Sequence, residues 1–140
     1  MNAIQPPEPG QVSLEVLATA TSVRPGARFA VTVRLTNRLG SVLASLAPHP
    51  VNLSYHWVER ASGEVVVFDG LRTRLPRPIS PGEAVNVVLE VEAPPASRDL
   101  RLVLSAVQEG IAWWDRGAAI DVVDFKPRGV ALQSDLSRVQ

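Results

Sequence analysis

The sequence predicts an all-β domain, an immunoglobulin-like or jelly-roll antiparallel sandwich of about seven or eight strands. Three observations carry that reading. Apolar residues alternate with a period of two over most of the chain. Proline- and glycine-centred turns break the alternation at roughly the 8–12-residue spacing of sandwiches. Apart from a weak trace in the tail, no stretch holds a long 3.6-residue period.

Residues 1–10, MNAIQPPEPG, contain three prolines and a glycine; proline removes backbone donors, so this segment reads as a linker or extended lead-in. The sandwich is expected over residues 11–126. Val12, Leu14 and Val16 alternate with Ser13 and Glu15 as a first strand, and Arg24-Pro25-Gly26 marks a turn. From Ala27 to Asn37, Phe29, Val31, Val33 and Leu35 share one face and Thr32, Arg34 and Thr36 the other, the pattern of a half-buried strand. Asn37 to Pro50 reads as a loop, because Pro48 and Pro50 exclude a paired central strand.

A hairpin follows, with Val51–Val58 and Val65–Phe68 joined at Ala61-Ser62-Gly63. Val51, Leu53, Tyr55 and Trp57 fall on one face of its first strand, and Asn52, Ser54, His56 and Val58 on the other. Leu75 to Pro81, with three prolines, reads as an extended crossing between sheets. Pro81-Gly82-Glu83 turns into a strand over Val85–Val91, which Ala93-Pro94-Pro95-Ala96 ends. Leu100, Leu102 and Leu104 open the next strand, which runs toward Gln108-Glu109-Gly110. Ala118–Phe125 supplies the last. In the tail, residues 127–140, the weak period between Val130 and Val139 leaves a short helix, a swapped segment and disorder all open.

Composition narrows the function. The 140 residues are 46% hydrophobic and 20% charged, with 14 basic and 14 acidic side chains. So balanced a chain lacks the clustered positive charge that nucleic acid requires. The absence of cysteine excludes disulfides, thiolate zinc sites and cysteine nucleophiles. His49 and His56 alone fall short of the three or four ligands of a zinc site and read as hydrogen-bonding histidines. There is no nucleophile elbow and no phosphate-cradling glycine loop. Carboxylate pairs drawn from Asp69, Glu109 and Asp115 are what any acidic surface offers. The expectation is a non-enzyme without cofactor. The amino terminus lacks a signal peptide's basic and apolar regions, and no apolar run approaches the ~20 residues that span a bilayer. A cytoplasmic chain without membrane insertion is expected, brought at most to the inner-membrane face by a parent or partner protein.

The seven aromatics are more informative. Trp57 shares a face with Leu53 and is expected in the core, as tryptophan often is on a middle sandwich strand. Trp113 and Trp114 are adjacent, so on an extended segment they point opposite ways, one inward and one toward the surface. An exposed indole beside Glu109, Asp115 and Arg116 suits a sugar: its flat face stacks on pyranose C–H groups while charged side chains bind hydroxyls. In Asp69-Gly70-Leu71-Arg72-Thr73 the glycine permits a tight bend. Arg72 there is a planar fork that fits a ligand's carboxylate or vicinal hydroxyls, or equally an internal pair with Asp69 or Glu109.

The ordered segments HPVNLSYHW, VVVFDGLRTRLPRPISPGEAVNV, VEAPP and LVLSAVQEGIAWWDRG, over roughly Asn37 to Gly117, resemble a module appended to bacterial surface-polysaccharide proteins. Similar segments accompany glycosyltransferases, methyltransferases and the ATPase subunits of O-antigen ABC transporters. The resemblance implies a non-catalytic sandwich that binds glycan, recognising an O-antigen-type polysaccharide during synthesis or export. Matched by position, it implicates His56 (with Trp57 beside it), Asp69, Arg72, Thr73, Glu109 (with Gln108), Trp113 and Trp114 as ligand-binding residues. Trp114 departs from the phenylalanine or tyrosine expected there, a conservative change. The chain has neither a Walker motif nor a methyl-donor glycine loop, so an accessory module is implied. A protein–protein or homodimerisation module is the alternative.

Overall fold

The computed structural model describes residues 7–8, 10–20, 22–95, 99–115, 118–120 and 122–127. The expectations for residues 1–6, for Arg116 and for residues 128–140 lie outside them. The strands are β1 (Val12–Ala18), β2 (Ser22–Val23), β3 (Arg28–Asn37), β4 (Val51–Glu59), β5 (Val65–Val67), β6 (Thr73–Arg74), β7 (Ala84–Glu92), β8 (Leu100–Gln108), β9 (Ala112–Trp113), β10 (Ala118–Ile120) and β11 (Val122–Pro127). One sheet runs β10-β1-β3-β7. The other runs β2-β11-β8-β4-β5, with β6 also on β4 and β9 on β8. With β1, β3 and β7 facing β4, β8 and β11, this is the strand distribution of an immunoglobulin-like sandwich.

The long strands follow the alternation. β3 and β7 pair antiparallel from Arg28↔Glu92 to Thr36↔Ala84, which puts Val31, Val33 and Leu35 beside Val85, Val87 and Leu89 on the inner face. β4 and β8 pair from Val51↔Gln108 to Glu59↔Leu100. Eleven strands stand among the described residues rather than seven or eight. β2, β5, β6, β9 and β10 are only two or three residues long, too short for a period of two to register. Ala118–Phe125 is not one strand. β10 pairs parallel with β1 in the first sheet and β11 antiparallel with β8 in the second. Alternation shows that a segment is extended, but not which sheet takes its hydrogen bonds.

The core lies between the sheets, with Trp57 and Tyr55 as its largest members on β4. Their polar ends meet the backbone of one residue on β7, Glu92. Trp57 Nε1 donates to the Glu92 carbonyl at 2.9 Å, and the Glu92 N–H donates to Tyr55 Oη at 3.0 Å. The loop after β3 is held by Asn37, wholly buried, whose Nδ2 donates to Ser41 O and Ile79 O and whose Oδ1 accepts from Leu39 N–H. The Leu75–Pro81 crossing runs as expected, with Leu75 and Ile79 buried and Ile79 bridged to Leu43.

β4 departs from simple alternation. Val51 through Trp57 are all buried, on both faces of the sheet. The polar row Asn52, Ser54 and His56 therefore lies beneath a cover.

Candidate functional site

The cover is the segment between β5 and β6. Both short strands pair with β4, at Trp57↔Val67 and at Leu53↔Thr73, and between them the chain rises over the outer face. Gly70 permits this close passage. Its N–H donates to Tyr55 O, and a Cβ there would come within 2.7 Å of that oxygen and of the Tyr55 ring. The outer-face side chains of β4 then hold the raised segment. Ser54 Oγ donates to Leu71 O at 2.9 Å, and His56 Nδ1 donates to Phe68 O in a short hydrogen bond.

The turn from β8 to β9 closes the other side. Gly110, at φ +79, takes the left-handed conformation that glycine adopts without strain. His49 Nδ1 donates to Glu109 O at 3.0 Å, and Pro50 O accepts from Glu109 N–H. The Glu109 backbone is thus fixed from both sides. Trp113 then lies over the His56 ring, 4.3 Å between centroids, while Phe68 stacks on that ring at 4.6 Å. Phe68 and Trp113 meet at 5.2 Å and 60°. Asp115 follows, both carboxylate oxygens 3.1 Å from His56 Nε2 and Oδ1 accepting from Ser105 Oγ.

Arg72 ties the two halves together. Nε donates to Glu109 Oε2 at 2.8 Å, and Nη1 donates to Asp69 Oδ1 at 2.7 Å and Gly70 O at 2.8 Å. The guanidinium carbon stands 5.0 Å from the centre of the Trp113 ring. Asn52 Nδ2 also donates to Glu109 Oε2. Burial pulls the Arg72 pKa down, but the hydrogen bonds to Glu109 and Asp69 and their charges outweigh it and leave the value raised. The guanidinium is therefore a permanent cation.

Five expected residues, His56, Asp69, Arg72, Glu109 and Trp113, thus come together in one polar and aromatic patch on the outer face of the second sheet. Both internal partners foreseen for Arg72 are present. Two expected residues stand elsewhere. Trp114 is 1% exposed and packs in the core, since its neighbour Trp113 takes the outward side of the extended segment. Thr73 pairs with core-facing Leu53, and its Oγ1 accepts from Glu90 N–H on β7. Neither reaches the patch surface.

The sequence reading omitted Phe68, Ser54, Asn52 and Ser105. Phe68 matters most, being 54% exposed where Trp113 is half-buried against His56 and Arg72. Its position, one residue before the Asp-Gly bend, is the signal that marks it. Asp115, Ser105 and His56 do not have the arrangement of a hydrolytic triad: the serine donates to the aspartate and not to the histidine, so the imidazole is not placed as the serine's base. Among the described residues no three His, Asp or Glu side chains are grouped to hold a metal ion, and no helix is long and apolar enough to cross a membrane.

No protein-family model matches the sequence, and no curated protein matches it by sequence. Solved structures match in shape. Spo0M, a sporulation control protein of Bacillus subtilis, superposes with a TM-score of 0.53 at 14% identity over 84% of this chain and 49% of its own. This chain therefore spans about half the length of Spo0M. A CARDB domain from Pyrococcus furiosus gives 0.47 at 11% identity over 86% of this chain and 96% of that one. A PapD-like domain of human CEP192 gives 0.35 at 13% identity over 91% of this chain and 92% of that one. What this chain has in common with Spo0M is the fold, and its own strand order makes it an all-β domain of the immunoglobulin-like sandwich type.

Proposed function

We propose that the chain is a non-catalytic carbohydrate-binding module that recognises a bacterial surface polysaccharide of O-antigen type during its synthesis or export, working in the cytoplasm and brought at most to the inner-membrane face by a parent or partner protein. The observation that carries the proposal is the patch over β4. The exposed Phe68 ring meets the half-buried Trp113 ring, with Asp69 and Arg72 on the segment held down by Ser54 and His56 and Glu109 on the β8–β9 turn. Apolar rings beside fixed charged acceptors and donors are the elements of sugar recognition: the rings take C–H faces and the charged groups take hydroxyls. Because the outer-face side chains already hold the segment, little ordering remains for the ligand to drive.

A glycan array on the isolated chain, followed by calorimetry on the best ligand, tests this. Phe68→Ala should weaken binding about tenfold, the effect of losing one stacked ring of about 1.4 kcal/mol. An unchanged affinity in the folded variant removes Phe68 from the site. An array with no bound glycan rejects the proposal. A second reading, a protein-interaction or homodimerisation module, draws on the exposure of Phe68, Val65 and Ile111, at 54%, 51% and 48%. Light scattering separates the two readings, because a dimer that Phe68→Ala dissociates, with no sugar bound, supports the second.

A further inference from the structure

Resting on the glycan-binding reading, we infer that the patch takes an amino sugar whose amine is free and charged, in preference to an acidic sugar. The charge balance points there. Asp69, Glu109 and Asp115 set three negative charges against the single positive charge of Arg72. The described groups therefore sum to −2, or to −1 with His56 charged.

Arg72, the residue that would draw an anion, is already engaged. Two carboxylates, the Gly70 carbonyl and Ser54 Oγ take its Nε and Nη1 donors, and its guanidinium carbon stands 5.0 Å from the centre of the Trp113 ring. Only the two N–H groups of Nη2 lack a partner among the described residues, and its charge is already outweighed by the two carboxylates. The more exposed open capacity is of the opposite sign. Asp69 is 72% exposed at its side chain and uses only Oδ1 on Arg72, and both donors to Glu109 converge on Oε2. Asp69 Oδ2 and Glu109 Oε1 are thus acceptors without a recorded donor among the described residues. Next to Asp69 in the chain stands the exposed ring of Phe68. An ammonium group is bound by this combination of a carboxylate with a free oxygen and an aromatic face, through an ion pair and a cation–π contact. A uronate or phosphate-bearing sugar meets like charge instead.

Calorimetry with glucosamine oligomers, their N-acetylated counterparts and oligogalacturonate of equal length tests this. Glucosamine oligomers should bind about fivefold tighter than the acetylated ones, the yield of one exposed ion pair. The preference should shrink in about 0.5 M salt. Asp69→Asn should bring the ratio of glucosamine to acetylated affinity to about one, whatever it does to the acetylated affinity itself. Phe68→Leu, which keeps bulk and loses the π face, should reduce the ratio. Oligogalacturonate binding as tightly as glucosamine, or a preference that survives Asp69→Asn, overturns the inference. So does a lysine-rich peptide that binds as tightly, which would assign the site to a protein ammonium group. A chain that binds neutral glycans on the array but shows no preference for the amine loses this inference and keeps the glycan reading; a chain that binds no glycan loses both.

Discussion

Gly70→Ala is the substitution that most directly tests how the patch is built. A Cβ at this position would come within 2.7 Å of Tyr55 Cδ1, Cε1 and the backbone oxygen. Tyr55 is 2% exposed and its hydroxyl is bonded to β7, so neither ring nor peptide is free to withdraw. The covering segment has to lift instead. Lifting breaks Gly70 N–H to Tyr55 O and strains the two bonds that hold its flanks, Ser54 Oγ to Leu71 O and His56 Nδ1 to Phe68 O. At about 1 kcal/mol net for each, the loss runs from about 1 kcal/mol for the broken bond alone to about 3 kcal/mol where the strained pair is lost as well. Urea denaturation reads this as a lower midpoint with an unchanged slope. Gly40→Ala is the control, because a Cβ at Gly40 meets nothing within 4 Å and should change stability by less than about 0.5 kcal/mol. Equal midpoints for the two variants would refute the claim that close passage at Gly70 shapes the patch.

The two buried tryptophans should respond differently to loss of the indole N–H. Trp57→Phe gives up the bond to the Glu92 carbonyl as well as packing, whereas Trp114 Nε1 has no hydrogen-bond partner among the described residues; calorimetric melting should therefore show Trp57→Phe to be the costlier by about 1 kcal/mol. Trp114→Ala, which empties a core position, should cost about 3–5 kcal/mol by urea denaturation, and a cost below about 1 kcal/mol would contradict its placement in the core. Asn37→Ala removes three bonds inside a buried loop and should destabilise by about 2–4 kcal/mol in the same assay. The Glu83 pKa is lowered from its ordinary 4.5, first by the hydrogen bond from Arg77 and then by that from Ser80 N–H. A folded value below the unfolded one stabilises above about pH 4.5 and is lost as pH falls through the folded value. Glu83→Gln should therefore lower the unfolding midpoint slightly at about pH 7 and match the wild type at about pH 2, the effect staying small because the pair is exposed.

Residue parity made much of this arrangement legible in the sequence. It set Trp57 in the core and His56 on the opposite face, and it required Trp113 and Trp114 to part. It also directed attention to the bend after Phe68 and its two candidate carboxylate partners for Arg72, both of which the structure provides. Parity could not tell whether Asn52, Ser54 and His56 face water or a cover, since a polar row satisfies either. Thr73 was misplaced because the chain returns to β4 after the bend, and that return resets which side is inward. Ala118–Phe125 concealed a change of sheet, because hydrogen-bond partners leave no trace in alternation.

The bonds to Glu92 have a consequence for how the domain meets its own copies. β7 ends the first sheet, so the backbone groups that do not face β3 would be free to template another strand. The Glu90 N–H is taken by the Thr73 hydroxyl, and the Glu92 N–H and carbonyl by the Tyr55 hydroxyl and the Trp57 indole, all supplied by the second sheet. Side chains supplied by the second sheet thus also blunt one end of this border against edge-to-edge aggregation.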